Sequence, residues 1–124
     1  MSNLKATTRG NVTFSGDIFT TRVNMRATVL TVEDVTTLQN QTYTALGTSN
    51  FNGALSGMNL IITSNSDITN TADWTANNMA RFRAKAGASV NVTGTGNQFG
   101  DLQLYGTNVT VEEAGDMNLA PARI

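Results

Sequence analysis

An all-β fold made of short strand repeats, either β-solenoid-like or a compact β-sandwich, is predicted by three features of this sequence. Apolar and polar side chains alternate one for one over short stretches, the pattern of strands with one buried face. Apolar positions also recur about every twenty residues: Ile62, Phe82 and Leu102 are twenty apart, as are Val12 and Val32, and Val23 and Tyr43, while Val90 and Val109 are nineteen apart. A second, longer period is what stacked strand sets produce. Small-residue corners, Gly94-Thr95-Gly96-Asn97, Gly106-Thr107-Asn108 and Ala114-Gly115-Asp116, separate the alternating pairs toward the C-terminus.

Taken in order, Asn11 to Asp17 alternates and ends in a Gly-Asp turn signal, and Arg22 to Arg26 alternates with Val23 and Met25 on one face. Thr28 to Val32 is β-branched. Beyond it Val32, Val35 and Leu38 fall three apart behind Glu33 and Asp34, so a short helix competes there with strand. Gly47 to Gly53 is turn chemistry, Met58 to Thr63 is strand, and Ser64 to Asp67 is a polar corner. Between Asp73 and Gly87 the alanines suit a helix capped by those two residues, but Ala80, Phe82 and Ala84 alternate with Arg81, Arg83 and Lys85, which favours strand for Ala80 to Lys85. Val90 with Val92, Leu102 with Leu104, Val109 with Val111 and Met117 with Leu119 form later inward pairs. The inward set also includes Phe14, Val23, Ile62 and Phe82. An echo between Asn50 to Ile68 and Asn97 to Met117, offset by 47 to 49 residues, predicts a repeat unit of two turns.

The 124 residues make a single β-rich domain, 1–124, with one modest core. Twenty Thr and fifteen Asn suit exposed strand faces and tight turns. Charged residues are only 14% and the net charge is −1, so no nucleic acid is expected as a specific partner. The longest aliphatic run, Leu60-Ile61-Ile62, is too short for membrane insertion, and the first ten residues lack the apolar stretch of a secretory signal.

With no Cys and no His, thiolate metal sites and the usual general base are missing. Glu112, Glu113 and Asp116 are the best trio for acid–base work or calcium, yet they follow a strand end and precede a turn, where solvated acids are ordinary. No catalytic residue, no cofactor and no metal is therefore expected, and the protein is read as not an enzyme. The candidate interaction residues are Arg81, Arg83 and Lys85, a basic stripe if they alternate on a strand, together with Trp74, which belongs either to the core or to an interface.

Two resemblances bear on function. The segments Gly96 to Leu102, Asn108 to Val111 and Ala114 to Leu119 resemble repeats of secreted bacterial β-solenoid exoproteins of the filamentous-haemagglutinin type, over about a quarter of the chain. Gly10 to Asp17 looks like the Gly-Asn-Val-Thr-Phe modules of bacteriophage fibre and capsid decoration proteins, which are usually trimeric. Both imply a structural role in a virion or an extracellular assembly, with no catalytic residue to carry over. The expectation is a decoration or fibre-type subunit that self-associates, as a homotrimer, on capsid or fibre proteins. The alternatives are a secreted solenoid fibre or adhesin segment and, more distantly, a polysaccharide-binding or lyase-type β-helix. A short stack of strands has little core per residue and leaves unpaired backbone at its edges, which association would cover.

Overall fold

The computed structural model describes residues 2–120, and every regular element among them is a strand. In chain order these are β1 (Asn3–Thr7), β2 (Asn11–Phe14), β3 (Ile18–Thr20), β4 (Arg22–Val32), β5 (Val35–Thr37), β6 (Asn40–Phe51), β7 (Leu55–Ser64), β8 (Ile68–Asn70), β9 (Trp74–Ala84), β10 (Ser89–Val92), β11 (Gln98–Tyr105), β12 (Asn108–Val111) and β13 (Asn118–Leu119). All ladders are parallel, so the chain coils rather than folding back, and it completes about six turns of a β-solenoid. The sandwich alternative is excluded by this pairing.

Each turn contributes to three stacks. The first holds β1, the opening half of β4 and of β6, the closing half of β7, β9 and β11, and β13. A second stack holds β2, the rest of β4 and β6, then β8, β10 and β12. The third holds β3, β5 and the opening residues of β7, β9 and β11. Long strands such as β7 bend around a corner and serve two stacks, with register shifts at Gly57/Asn59 in β7 and at Phe99/Asp101 in β11.

Alternation places one set of side chains inside the coil. Val23, Ile62, Phe82, Val90, Val92, Leu102 and Leu104 are buried as expected, while Phe14, Val109 and Val111 pack against the core from the end turns and are half-buried. Through the middle runs a column of aromatic rings, Tyr43, Phe51, Trp74, Phe82 and Phe99, with successive centroids 5.3, 5.3, 5.6 and 5.4 Å apart, mostly edge to face. Polar atoms within it are partnered: the Tyr43 hydroxyl donates to Gln41 Oε1 at 2.8 Å, and Gln41 Nε2 donates to the Ser56 carbonyl at 2.8 Å. Burial pushes the Tyr43 phenol far above its ordinary pKa, so it stays a donor.

The corners are held by side chains reaching one turn along the axis. Asp34 accepts from the Ala54 amide, Asp73 from Gly96, Asp67 from Ser89, and Glu33 from Gly16. Gly53 and Gly96 are required beside Asp34 and Asp73, because a Cβ at either would run into the carboxylate. At the same corner Asn70 and Asn97 form a buried pair: Asn70 Nδ2 donates to Asn97 Oδ1 at 2.9 Å, and that oxygen also accepts from the Trp74 amide at 2.9 Å. Outside, Asn40, Asn59 and Asn78 make an exposed amide ladder with bonds of 2.8 Å.

Several sequence expectations are corrected. The recurrence of about twenty holds, with a spread: paired residues lie from 17 positions apart (Ile18 with Val35) to 23 (Thr75 with Gln98). Ile62 does stack on Phe82, and Val90 on Val109, but Phe82 meets Leu104 instead of Leu102, and Val23 meets Gln41 instead of Tyr43. The strand favoured for Ala80 to Lys85 is borne out as far as Ala84, and neither competing helix forms, since Val35–Thr37 and Trp74–Ala84 are strands that need their backbone groups for the ladders. The echo is no two-turn repeat: Met58 to Thr63 lies on the first stack, whereas Thr107 to Val111 lies on the second. Met117 and Leu119 are exposed, because no strand among the described residues covers the last turn.

Candidate functional site

Two of the outward rows of the first stack carry most of its cations, beside a third row that runs through Asn40, Asn59, Met79 and Asp101. Of those two, one reads Lys5, Asn24, Thr42, Ile61, Arg81, Gln103, and the other Thr7, Arg26, Thr44, Thr63, Arg83, Tyr105. Parallel in-register pairing puts each member about 4.8 Å from the next. Neither row contains an acid. The described carboxylates sit mainly at corners, where several already accept backbone bonds. A net charge of −1 thus conceals a partly segregated surface, with two acid-free basic rows on the first face, Asp101 on the row beside them and most other carboxylates at corners.

Where this face turns into the second stack, near the C-terminal turns, lies a groove of about 830 Å³. Two smaller clefts measure about 150 and 190 Å³. Strands β7, β9 and β11 supply Thr63, Arg83 and Tyr105 from one row, and the corners after them supply Asn65, Lys85 and Thr107. The Lys85 corner is a tight turn closed by the Ala88 amide on the Lys85 carbonyl at 2.8 Å. Gly87 in its third position has φ of +92°, the left-handed conformation such a turn demands. The Gly87 amide then donates to Thr107 Oγ1 at 2.7 Å, which fixes the hydroxyl at the groove wall. Ala84, Ala86 and Gly106 leave the floor open.

Of the residues singled out from sequence, Arg81 and Arg83 share the outward face of β9, and Arg83 and Lys85, but not Arg81, line the groove. Arg83 is exposed and its guanidinium lies 5.3 Å from the Tyr105 ring centroid, a cation–π contact that holds it over the groove. Arg81 is half-buried and donates from Nε to Gln103 Oε1 at 2.8 Å. Lys85 lies just past the strand end and is exposed. Trp74, by contrast, is fully buried in the aromatic column with its indole N–H directed at the Gly53 carbonyl, 3.3 Å away, so the core option holds and it offers no surface to a partner. Tyr105, Thr63 and Thr107 were not singled out from sequence. Their signal was the ladder register, which a fixed twenty-residue spacing misplaces by two at β11.

Glu112, Glu113 and Asp116 do not converge: among the described residues no three acidic groups are placed to hold a metal. Glu113 Oε1 accepts from the Phe99 amide at 2.6 Å, while its Oε2 is buried without a partner. Burial raises the Glu113 carboxyl above its ordinary value, and the Phe99 amide opposes that shift.

No family model matches the chain, and neither a curated protein nor a solved structure does so.

Proposed function

We propose that this protein is a non-enzymatic structural subunit of a virion or an extracellular assembly, a capsid decoration or fibre-type protein that works as a homo-oligomer on a larger particle. One observation carries the reading: the described solenoid has apolar side chains and free strand edges at both ends. Leu4, Ala6, Val12, Phe14 and Ile18 are only half-buried in the first turn, as are Val109 and Val111 in the last. Strands β1, β2 and β3 have ladder partners on one side only, and so do β12 and β13. Such edges attract further strands, and closed association is a way to cover them.

A second reading, a secreted solenoid fibre, draws on charge. The first turn carries Lys5 and Arg9 against Asp17, while the last carries Asp101, Glu112, Glu113 and Asp116. Opposite charge at the two ends favours head-to-tail stacking, which propagates into an open filament.

Sedimentation velocity of the 124-residue chain separates these outcomes. A discrete trimer supports the decoration reading, and polymers of indefinite length that shorten in salt support the fibre. A stable monomer at micromolar concentration overturns both.

A further inference from the structure

We propose that the groove at the edge of the basic face binds an acidic oligosaccharide, a uronate-bearing chain whose carboxylate is taken by Arg83 and Lys85. The site lies within one protomer, so it requires no particular oligomer and stands apart from the assembly reading.

Three observations lead there. The lining contains two cations and no carboxylate, so an anion entering it meets no opposing charge. Asp67, close by in the chain, has its carboxylate occupied by the Ser89 amide at 2.8 Å. Arg83 is held in place by Tyr105, and a planar guanidinium fixed in one orientation can grip a carboxylate through two parallel N–H bonds. Around the cations stand neutral polar groups suited to sugar hydroxyls. The Thr107 hydroxyl, having accepted from Gly87, still has its proton to donate. Asn65 uses its Nδ2 on the Leu46 carbonyl at 2.8 Å, which turns its Oδ1 free as an acceptor. Thr63 is half-buried beside Arg83 in the ladder.

Other polyanions fit less well. Strands β7 and β9 lie inside the first stack with their backbone groups consumed by neighbouring turns, and only Gln103 to Tyr105 of β11 run past the described partner strand, so an acidic peptide finds at most three residues of strand edge to extend. Nor are there side-chain pockets in a floor of Ala84, Ala86 and Gly106. Single-stranded nucleic acid needs open aromatic faces and a longer track of cations, whereas the one ring here, Tyr105, is covered by Arg83. The groove's volume of about 830 Å³ falls within the range of small-molecule sites and suits a few sugar units.

The test is calorimetric titration of the whole chain with a galacturonic acid tetramer, beside a neutral galactose tetramer, a polyglutamate peptide and a single-stranded DNA oligonucleotide. The acidic sugar should bind and the neutral one should not. The Arg83→Gln/Lys85→Gln variant should lose about tenfold or more in affinity, the scale of losing charge-assisted hydrogen bonds, with its melting temperature unchanged because both side chains are exposed. Arg83→Lys, which keeps the charge and removes the fork, should be intermediate. Arg26→Gln, in the same outward row but three turns from Arg83, should bind as the parent does. Amide shifts on titration should centre on Thr63, Arg83 and Thr107. No binding of the acidic sugar, undiminished binding by the double variant, shifts centred elsewhere, or equal affinity for polyglutamate or DNA would overturn the proposal.

Discussion

The middle turns and the end turns use the same alternating pattern but differ in what covers it. In the middle, Tyr43, Phe51, Trp74 and Phe82 have strands above and below, and the buried Gln41, Asn70 and Asn97 all find partners. At the first turn, Phe14 and Ile18 face the same interior with neighbours on one side only, and Phe19 is 73% exposed. A coil whose turns touch only their neighbours is held as a one-dimensional chain. Damage in the middle therefore cuts the stack in two, while damage at an end merely shortens it.

Trp74→Ala should give the widest contrast. Removing the indole empties the centre of the column and leaves the Gly53 carbonyl without its donor, a change costing about 3–5 kcal/mol. Leu119→Ala at the exposed end should stay within about 0.5 kcal/mol of the parent. Urea denaturation compares the two directly, and similar losses would mean that the stack is not held as independent turns.

Next comes the buried amide pair. Asn97→Ala strands the Trp74 amide and removes a partner from Asn70, with an expected loss of about 1–3 kcal/mol. Its counterpart at the first turn is Thr20→Ala, which removes the hydroxyl bonds to Ser2; the cost should be about 0.5–1 kcal/mol. A smaller gap between protection factors is expected from hydrogen exchange on the parent chain. Amides in β6, β7 and β9 should open only with global unfolding, and those in β1 and β13 by local fraying.

The alternation and the roughly twenty-residue recurrence of apolar residues made the solenoid legible, because period two and stacking both leave traces in a single sequence. Register was harder. Corners absorb extra residues, so turn lengths drift, and a spacing that is right for Ile62 on Phe82 is two residues out for Leu102. The aromatic column left no periodic signal, since its members come from all three stacks. In the sequence Asp34 and Asp73 stand where acids open or cap competing helices, and their physical role depends instead on a glycine one turn away that lets the carboxylate approach the backbone. The basic stripe was legible from Arg81 and Arg83 alone; the Tyr105 that orients Arg83 lies 22 residues on, a spacing set by the longer turn at β11.

The smallest expected effect concerns the last turn, where Glu113 closes over Phe99. Its carboxyl is raised by burial, so folding favours the neutral acid. That contribution is fully present below the ordinary carboxylate pKa and is lost as pH rises through the raised value. At neutral pH the ionised group instead leaves Oε2 buried and unpartnered, and only the bond from the Phe99 amide offsets this. In Glu113→Gln the amide oxygen can still accept from Phe99, and nothing titrates. Melting temperatures of both proteins at about pH 4 and about pH 7 should therefore show the variant gaining on the parent as pH rises. A variant that instead loses ground at neutral pH would mean that the charged bond to the Phe99 amide outweighs burial, and that the last turn is held more like the middle ones than its exposure suggests.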